Sequence, residues 1–383
     1  MNKIKKLYTE DSTGRIRTWE CQITNNEDGL YGIQYRDGIQ GGKIKEWQFK
    51  EAKEKNVGRA NHMTPENQAI AMVDMEEGKK MRKNYFKTEE DAKNNKLFMP
   101  MLAHKFEKYV SKLPKDVCVQ PKLDGARCNI YWCNIAQKVV ARTRTGKDYS
   151  AVLDHVVEEV VTLLTQNKSL VLDGELYNHE LKENFEKMMS LVRQGKPGKW
   201  DMEQAVEMIE YHVYDVYNKD NPAAKFDERD TLVKEIFNAA SFKYLKQVPT
   251  IMCTLDAWIK DIEDSYLELG YEGIMVRLTD STYKVDGRSQ GLLKKKVFTD
   301  AEFEILEVVE GEGSWKGCAK KLVIRLPDGR TQSTGIDGSA EINKERLENK
   351  HLLIGKLATV RYFRLTSDNK LYIPVCKDIN RHD

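Results

Sequence analysis

The sequence predicts an α+β protein in three parts: a small mixed unit over residues 1–95, a unit of mixed sheets and helices over 96–300, and a β-barrel over 301–383. Length predicts the division, because 383 residues exceed what one ordinary core encloses. The pattern along the chain locates it. Strand-like runs alternate with helical spacing in the middle, whereas residues 301–383 hold short strands and Gly turns. Composition sets the class: 40% apolar and 32% charged residues with no long apolar run predict a soluble globular chain without a membrane span.

The first unit opens with strand-like runs at 17–23 and 32–35, with turns at Asp37-Gly38 and Gly41-Gly42. A charged helix over 64–85 and a polar linker over 87–96 follow. In the middle unit, runs at 117–120, 128–132, 170–172, 210–216 and 273–278 read as strands. Leu153, Val156, Val157, Val160 and Leu164 share one face at helical spacing. In the last unit, strands are expected at 303–309, 321–326, 357–363 and 371–375, with a turn at Asp328-Gly329. Such a run of short strands suits an OB-fold barrel. The first residues lack the apolar stretch of a secretory signal. Seven dispersed cysteines without a C-x-x-C pair predict reduced thiols in a cytoplasm and no structural zinc. A net charge of +2 requires any nucleic-acid contact to come from locally gathered basic residues.

The chemistry begins at residues 120–127, Gln-Pro-Lys-Leu-Asp-Gly-Ala-Arg. Lys122 follows an apolar strand and stands where the chain turns at Gly125. Such a lysine points into a cleft. An amine attacks phosphorus only when neutral, and nearby cations and partial desolvation favour that form. Arg127 can hold a phosphate or ribose edge with its planar fork. Lys-x-Asp-Gly-x-Arg arises by chance in roughly one chain in a few hundred of this length, so alone it also fits a surface turn with a salt bridge. Farther on come Arg144-x-Gly146, the Asp173-Gly174-Glu175 run, Tyr214-Asp215 at a strand end, and Glu272-Gly273 before an apolar run. A flat ring at a strand end can stack on a purine, although Tyr214 taken by itself reads sooner as an ordinary core aromatic. Glu272 has the oxygen chemistry magnesium prefers. In Lys294-Lys295-Lys296, strand geometry puts Lys294 and Lys296 on one face, as a triphosphate needs.

Taken in order, these motifs resemble those of the covalent nucleotidyltransferases, which include DNA ligases, RNA ligases and mRNA capping enzymes. Over about 97–383 they are most similar to ATP-dependent DNA ligases of the compact viral type; the stretch with Gly287-Arg288-Ser289 and Asp300-Ala301-Glu302 is closest to those. The resemblance implies a nucleotidyltransferase adenylation domain followed by an OB-fold. It implies that Lys122 takes AMP from ATP, with Asp124 and Arg127 completing its signature. It makes Glu175 the ribose or metal carboxylate, Tyr214 the base-stacking ring, and Glu272 the Mg²⁺ ligand. Lys294 and Lys296 contact the α-phosphate, and Gln120 reads the adenine edge. Arg144, Arg288, Lys316 and Lys320 are the expected nucleic-acid contacts. Lys377 and Arg381 are alternative cations for the last motif of the family, in the barrel.

The first unit lacks these motifs. With Tyr8, Trp19, Gly32, Gly41-Gly42 and Trp47 it resembles a WGR-type nucleic-acid-binding module. Its basic run, Lys43, Lys45, Lys50, Lys53, Lys55 and Arg59, suits phosphate contacts and equally suits a solvated charged surface. The absence of a nicotinamide-binding domain and of a Cys₄ module points to ATP. The expectation is a monomeric ligase sealing nicked duplex DNA, with an RNA ligase, a GTP-using guanylyltransferase and a non-catalytic nucleic-acid binder as the competing readings.

Overall fold

The computed structural model describes residues 4–11, 13–182, 184–192, 201–254, 258–366 and 368–379. Its first unit is an antiparallel sheet in the order β1 (Lys5–Glu10), β2 (Ile16–Asn25), β3 (Tyr31–Ile39) and β4 (Gln48–Glu51). Leu7, Trp19, Cys21 and Ile33 on one face bury Ala69, Met72 and Val73 of helix α1 (Pro65–Met81). Thr64 caps α1 by accepting from the Asn67 N–H, and Pro65 supplies the fixed φ of a first turn. Three expectations change here. Asp37-Gly38 lies within β3, and the turn falls at Gly41, whose φ is +71°. The supposed linker contains helix α2 (Glu89–Asn94), because Thr88 caps it and Ala92 is wholly buried. The chain past α1 turns at Asn84, φ +60°, so the helix is shorter than the charge pattern suggests.

The middle unit stacks two five-stranded sheets. Its elements in chain order are β5 (Leu102–Lys105), β6 (Asp116–Pro121), β7 (Ala126–Cys133), β8 (Lys138–Thr143), α3 (Asp154–Gln166) and β9 (Leu170–Tyr177). Then come α4 (Phe185–Val192), α5 (Met202–Met208), β10 (Glu210–Asn218), α6 (Phe226–Ala239), β11 (Leu245–Gln247) and β12 (Ile251–Thr254). Helix α7 (Trp258–Glu268), β13 (Gly273–Arg277) and β14 (Arg288–Lys296) complete it. One sheet runs β11-β10-β9-β7-β8, the other β12-β6-β13-β14-β5. Helix α3 covers the outer face of the first through Val156, Val160 and Leu164. Helix α7 covers the outer face of the second through Ile259 and Tyr266. The inner faces meet on Phe98, Met101, Tyr131, Val171, Tyr283 and Leu292.

Val297 and Phe298 alone separate β14 from β15 (Thr299–Glu310). That strand opens a closed barrel with β16 (Ala319–Arg325), β17 (Thr331–Ile336), β18 (Leu357–Tyr362) and β19 (Val375–Ile379). Helix α8 (Ala340–Glu348) packs on it. The α+β architecture and the C-terminal barrel expected from the sequence are both present. The expected strand at 371–375 is displaced to β19. Ile373 has a φ of +54°, which no strand residue adopts, and Pro374 has no N–H to give a ladder.

Candidate active site

Residues of both inner sheet faces line a cleft of about 850 Å³ at one end of the sandwich. The period of two along each strand decides which side chains reach it. On β6, Val117 and Val119 turn to α7, so Cys118 and Gln120 turn inward, and the chain leaves the strand with Lys122 at the cleft. The Lys122 N–H donates to the Gly273 carbonyl at 2.9 Å, and the Glu272 N–H donates to the Lys122 carbonyl at 3.0 Å. This backbone bridge sets the two side chains side by side, and the Lys122 ammonium pairs with Glu272 Oε2. Glu272 Oε1 takes the ammonium of Lys296. One carboxylate, 5% exposed, therefore joins two lysines, and the pair with Lys122 must open before that amine can attack anything. Gly125 completes the turn where only hydrogen fits: a Cβ there would collide with the Leu176 carbonyl oxygen.

Strand β14 alternates as the sequence implies. Lys294 and Lys296 line the cleft, while Lys295 points to the outer face and pairs with the buried Glu263 of α7. Burial, then the charges of Lys296 and Lys122, lower the pKa of Lys294. Glu175 lines the opposite wall, from the interior of β9. Burial pushes its carboxyl up to about 7, against the pull of Lys122 and Arg127. Arg127 is not free to wander. Its Nε donates to Asp173 Oδ1 at 2.9 Å and its terminal nitrogen to the Met101 carbonyl at 2.6 Å. The Tyr283 hydroxyl donates to Asp173 Oδ2 at 2.6 Å. These bonds tie the two sheets together at the cleft floor.

Tyr214 reaches the cleft through a bulge. The β10–β9 register passes from Val213 opposite Gly174 to Asp215 opposite Asp173, so Tyr214 is the extra residue. Tyr211, Val213 and Val216 consequently pack on the helical side, while Tyr214 and Asp215 both face the other sheet. The Tyr214 hydroxyl donates to Glu175 Oε2 at 3.5 Å, and the guanidinium groups of Arg277 and Arg127 lie 5.5 and 5.7 Å from the ring centre. Asp215 is fully buried between Arg229 (2.8 Å) and Arg277 (2.6 Å). Burial alone would raise its pKa, but the two arginines prevail and hold the carboxyl below its ordinary value.

The structure brings Gln120, Lys122, Asp124, Arg127, Arg144 and Glu175 to one cleft, together with Tyr214, Glu272, Arg288, Lys294 and Lys296. Gln120, expected to read a base edge, lines the cleft with its amide already engaged. Its amide nitrogen donates to the Tyr214 carbonyl and to Thr250 Oγ1, both at 3.0 Å, and its oxygen accepts from Arg277 at 2.7 Å. At 1% exposure, it orients Arg277. Lys316 and Lys320 are exposed on the barrel and do not line the cleft; Lys320 lies 3.9 Å over the Trp315 ring. Lys377 pairs with Asp337 at 2.5 Å outside the cleft, and Arg381 lies outside the described residues. The barrel cation that does meet the site is Arg364. It pairs with Asp124 at 2.8 Å and is ringed by Phe185, Phe363 and Tyr372. Burial, then the charge of Glu272, raises the Asp124 pKa, and Arg364 opposes this. The sequence signal for Arg364 was its place at the end of a basic-aromatic strand, Arg361-Tyr-Phe-Arg364. Arg277 lay in a motif already noted, but its partners did not.

Among the described residues no cluster of three or more metal-binding side chains occurs. Glu175 and Glu272 both line the cleft, and their oxygens suit magnesium, which binds through one or two carboxylates and completes its shell with phosphates and water.

A family model described as ATP dependent DNA ligase domain matches residues 100–296, slightly more than half of the chain. The DNA ligase of Archaeoglobus fulgidus is 25% identical over 265 residues, which is 68% of this chain and 45% of that protein. DNA ligase 4 of Saccharomyces cerevisiae is 23% identical over 273 residues, 67% of this chain and 29% of that protein. The chain thus spans less than half the length of these curated relatives. Among solved structures, one named Pmar-Lig_Pre superposes with a TM-score of 0.65 at 25% identity, covering 75% of this chain and 68% of that one.

Proposed function

Because this chain belongs to the ATP-dependent DNA ligase family, we propose that it seals nicks between a 5′-phosphate and a 3′-hydroxyl in duplex DNA. The observation that supports this most is Lys122 beside Glu272 and Lys296 at the cleft floor. In this reading the Lys122 amine attacks the α-phosphorus of ATP. A nitrogen–phosphorus bond forms, the bond to the bridging oxygen breaks, and pyrophosphate leaves. AMP then passes to the 5′-phosphate of the nick, and the 3′-hydroxyl displaces it. Lys294 and Lys296 bear on the charge that grows on the transferred phosphoryl group. Tyr214 lies under the base, and Arg277, held by Gln120 and Asp215, is fixed beside it. Glu272 and Glu175 would hold Mg²⁺, which supplies positive charge at the phosphates when bound.

We assign residues 96–300 to nucleotide chemistry, 301–383 to closing the cleft, and 1–95 to contact with duplex. Nicked duplex DNA is the partner in this reading, and the chain works as a monomer. No described helix is long and apolar enough to cross a membrane. All seven cysteines are free thiols, which suits a reducing compartment such as a cytoplasm.

The test is labelling with radioactive ATP or GTP followed by denaturing electrophoresis, and sealing of nicks in DNA and in RNA strands. Covalent AMP and DNA sealing are expected. Lys122→Ala is expected to lose both, and so is Lys122→Arg, since a guanidinium cannot be deprotonated in a protein. AMP labelling of either variant at the parent level sinks the assignment. Labelling by GTP instead identifies a guanylyltransferase, and sealing confined to RNA identifies an RNA ligase.

A further inference from the structure

One lysine of the catalytic cleft does not come from the nucleotide-binding unit. Lys83, in the turn after α1, lines the same cleft as Lys122. Its place is set by backbone contact. The turn after β8, Thr143-Arg-Thr-Gly146, lies so close to the first unit that a Cβ on Gly146 would collide with the Arg82 carbonyl oxygen, and Gly146 has a φ of +80°. From the other side, Asn84 grips the chain entering the middle unit. Its amide donates to the Leu97 carbonyl at 3.1 Å, and its oxygen accepts from the Leu97 N–H at 2.6 Å. The Lys83 N–H donates to the Lys80 carbonyl at 2.8 Å. The turn is thus held at both ends while the Lys83 side chain stays exposed.

Arg144 and Lys147, on the turn that Arg82 touches, line the cleft too. Among the described residues none of these three cations is ion-paired. Elsewhere in the cleft, Lys122 and Lys296 are paired by Glu272, Arg127 by Asp173 and Arg277 by Asp215, while Arg288 donates to the Ala103 carbonyl and Lys294 stands beside Lys296 on the phosphate-facing strand. Three unpaired cations gathered from two units on one rim form a site that lacks its anion. The triphosphate already has Lys122, Lys294 and Lys296, which stand on the other sheet. A second polyanion must come to Lys122 in a sealing reaction, namely the phosphorylated strand that accepts AMP.

We propose that Lys83, with Lys147, joins Arg144, which the family resemblance already makes a nucleic-acid contact, in binding a backbone phosphate of the nicked strand, so that the N-terminal unit completes the active site through Lys83. This rests on the nick-sealing function proposed above. Lys83 so placed acts in binding the strand and in transfer to it, and takes no part in the attack on ATP.

The experiment uses the full chain and three variants: Lys83→Gln, Lys83→Arg and Lys93→Gln. Lys93 is also exposed in the first unit but does not line the cleft, so the last variant removes the same charge at a neutral place. The probes are radioactive ATP and a nicked DNA duplex with a 5′-phosphate, with binding measured over a range of salt. Lys83→Gln is expected to accept AMP as the parent does and to bind the nick more weakly. Its slope of log K against log salt should fall by about 0.9, one phosphate contact, so that the parent's advantage shrinks roughly three-fold between about 50 and 200 mM salt. Lys83→Arg should restore the slope, and Lys93→Gln should match the parent. Equal slopes for Lys83→Gln and Lys93→Gln overturn the subsite. A Lys83→Gln protein that loses AMP labelling assigns the lysine to the nucleotide and overturns it as well. A parent that takes up AMP but neither binds nor seals nicked duplex fails at the earlier step, the function itself, and the subsite falls with it.

Discussion

At the level of single residues, the cleft separates groups that are held from groups that switch. Arg277 and Arg127 are fixed by buried carboxylates, and removing Asp215 would leave the buried charges of Arg229 and Arg277 without their carboxylate at a cost of about 3–5 kcal/mol. Glu175 is the group poised to change. With its carboxyl at about 7 in the fold and near 4.5 in the unfolded chain, it binds a proton in the fold that it has already lost on unfolding. Its contribution therefore favours the fold most below pH ~4.5 and is lost as pH rises to about 7. Glu175→Gln should remove this slope. In nucleotide-free protein, the stability difference between about pH 5 and pH 7.5 is expected to shrink on the order of 1–3 kcal/mol relative to the parent. Urea midpoints at the two pH values measure it, and an unchanged difference shows that Glu175 ionises normally. Lys122, Glu175, Glu272 and Lys296 were legible as residues because short-range motifs carry them. Asp124's partner Arg364 and Gln120's three bonds were not, since each joins segments far apart in the chain.

Strand β14 shows what alternation alone can deliver. Adjacent lysines there have unlike duties, one set by the cleft and one by Glu263 on α7. Lys295→Ala should lower stability by about 1–3 kcal/mol, because Glu263 is only 4% exposed and loses its cation, while AMP labelling persists in the folded protein. Lys294→Ala should do the reverse, slowing labelling with little loss of stability. Thermal melts and single-turnover labelling separate the two, and parallel behaviour of both variants would mean that the faces are misassigned. Strands such as β6 and β7 were readable because each carries a short apolar run bounded by polar or turn residues. The bulge in β10 was not, because it shifts the side-chain period at Tyr214, the residue that it turns into the cleft. The displaced strand at 371–375 fails for a different reason. Its apolar residues look like a strand, but the left-handed Ile373 and Pro374 stop the ladder, and pairing resumes at Val375.

On the scale of the whole molecule, the N-terminal unit and the barrel are joined to the middle unit in different ways. The core of the N-terminal unit is separate, so the chain without residues 1–95 keeps every residue that acts on ATP in the proposed reaction. It loses Lys83 and the Asn84 grip on Leu97. The truncated chain is expected to accept AMP, to bind nicked duplex on the order of ten-fold more weakly at low salt, and to show a shallower salt slope than Lys83→Gln, because the lysines around β4 go too. Binding isotherms over a salt series decide this, and a truncation that binds like the parent assigns the unit another task. The barrel is joined quite differently. Only two residues lie between Lys296 and its strand β15, while Tyr372, Ile373 and Arg364 touch the cleft from its far side. It is built as a lever whose fulcrum lies beside Lys296. Any rotation at Val297 and Phe298 would carry Tyr372 and Ile373 at the cleft mouth while Lys296, next to the pivot, kept its register.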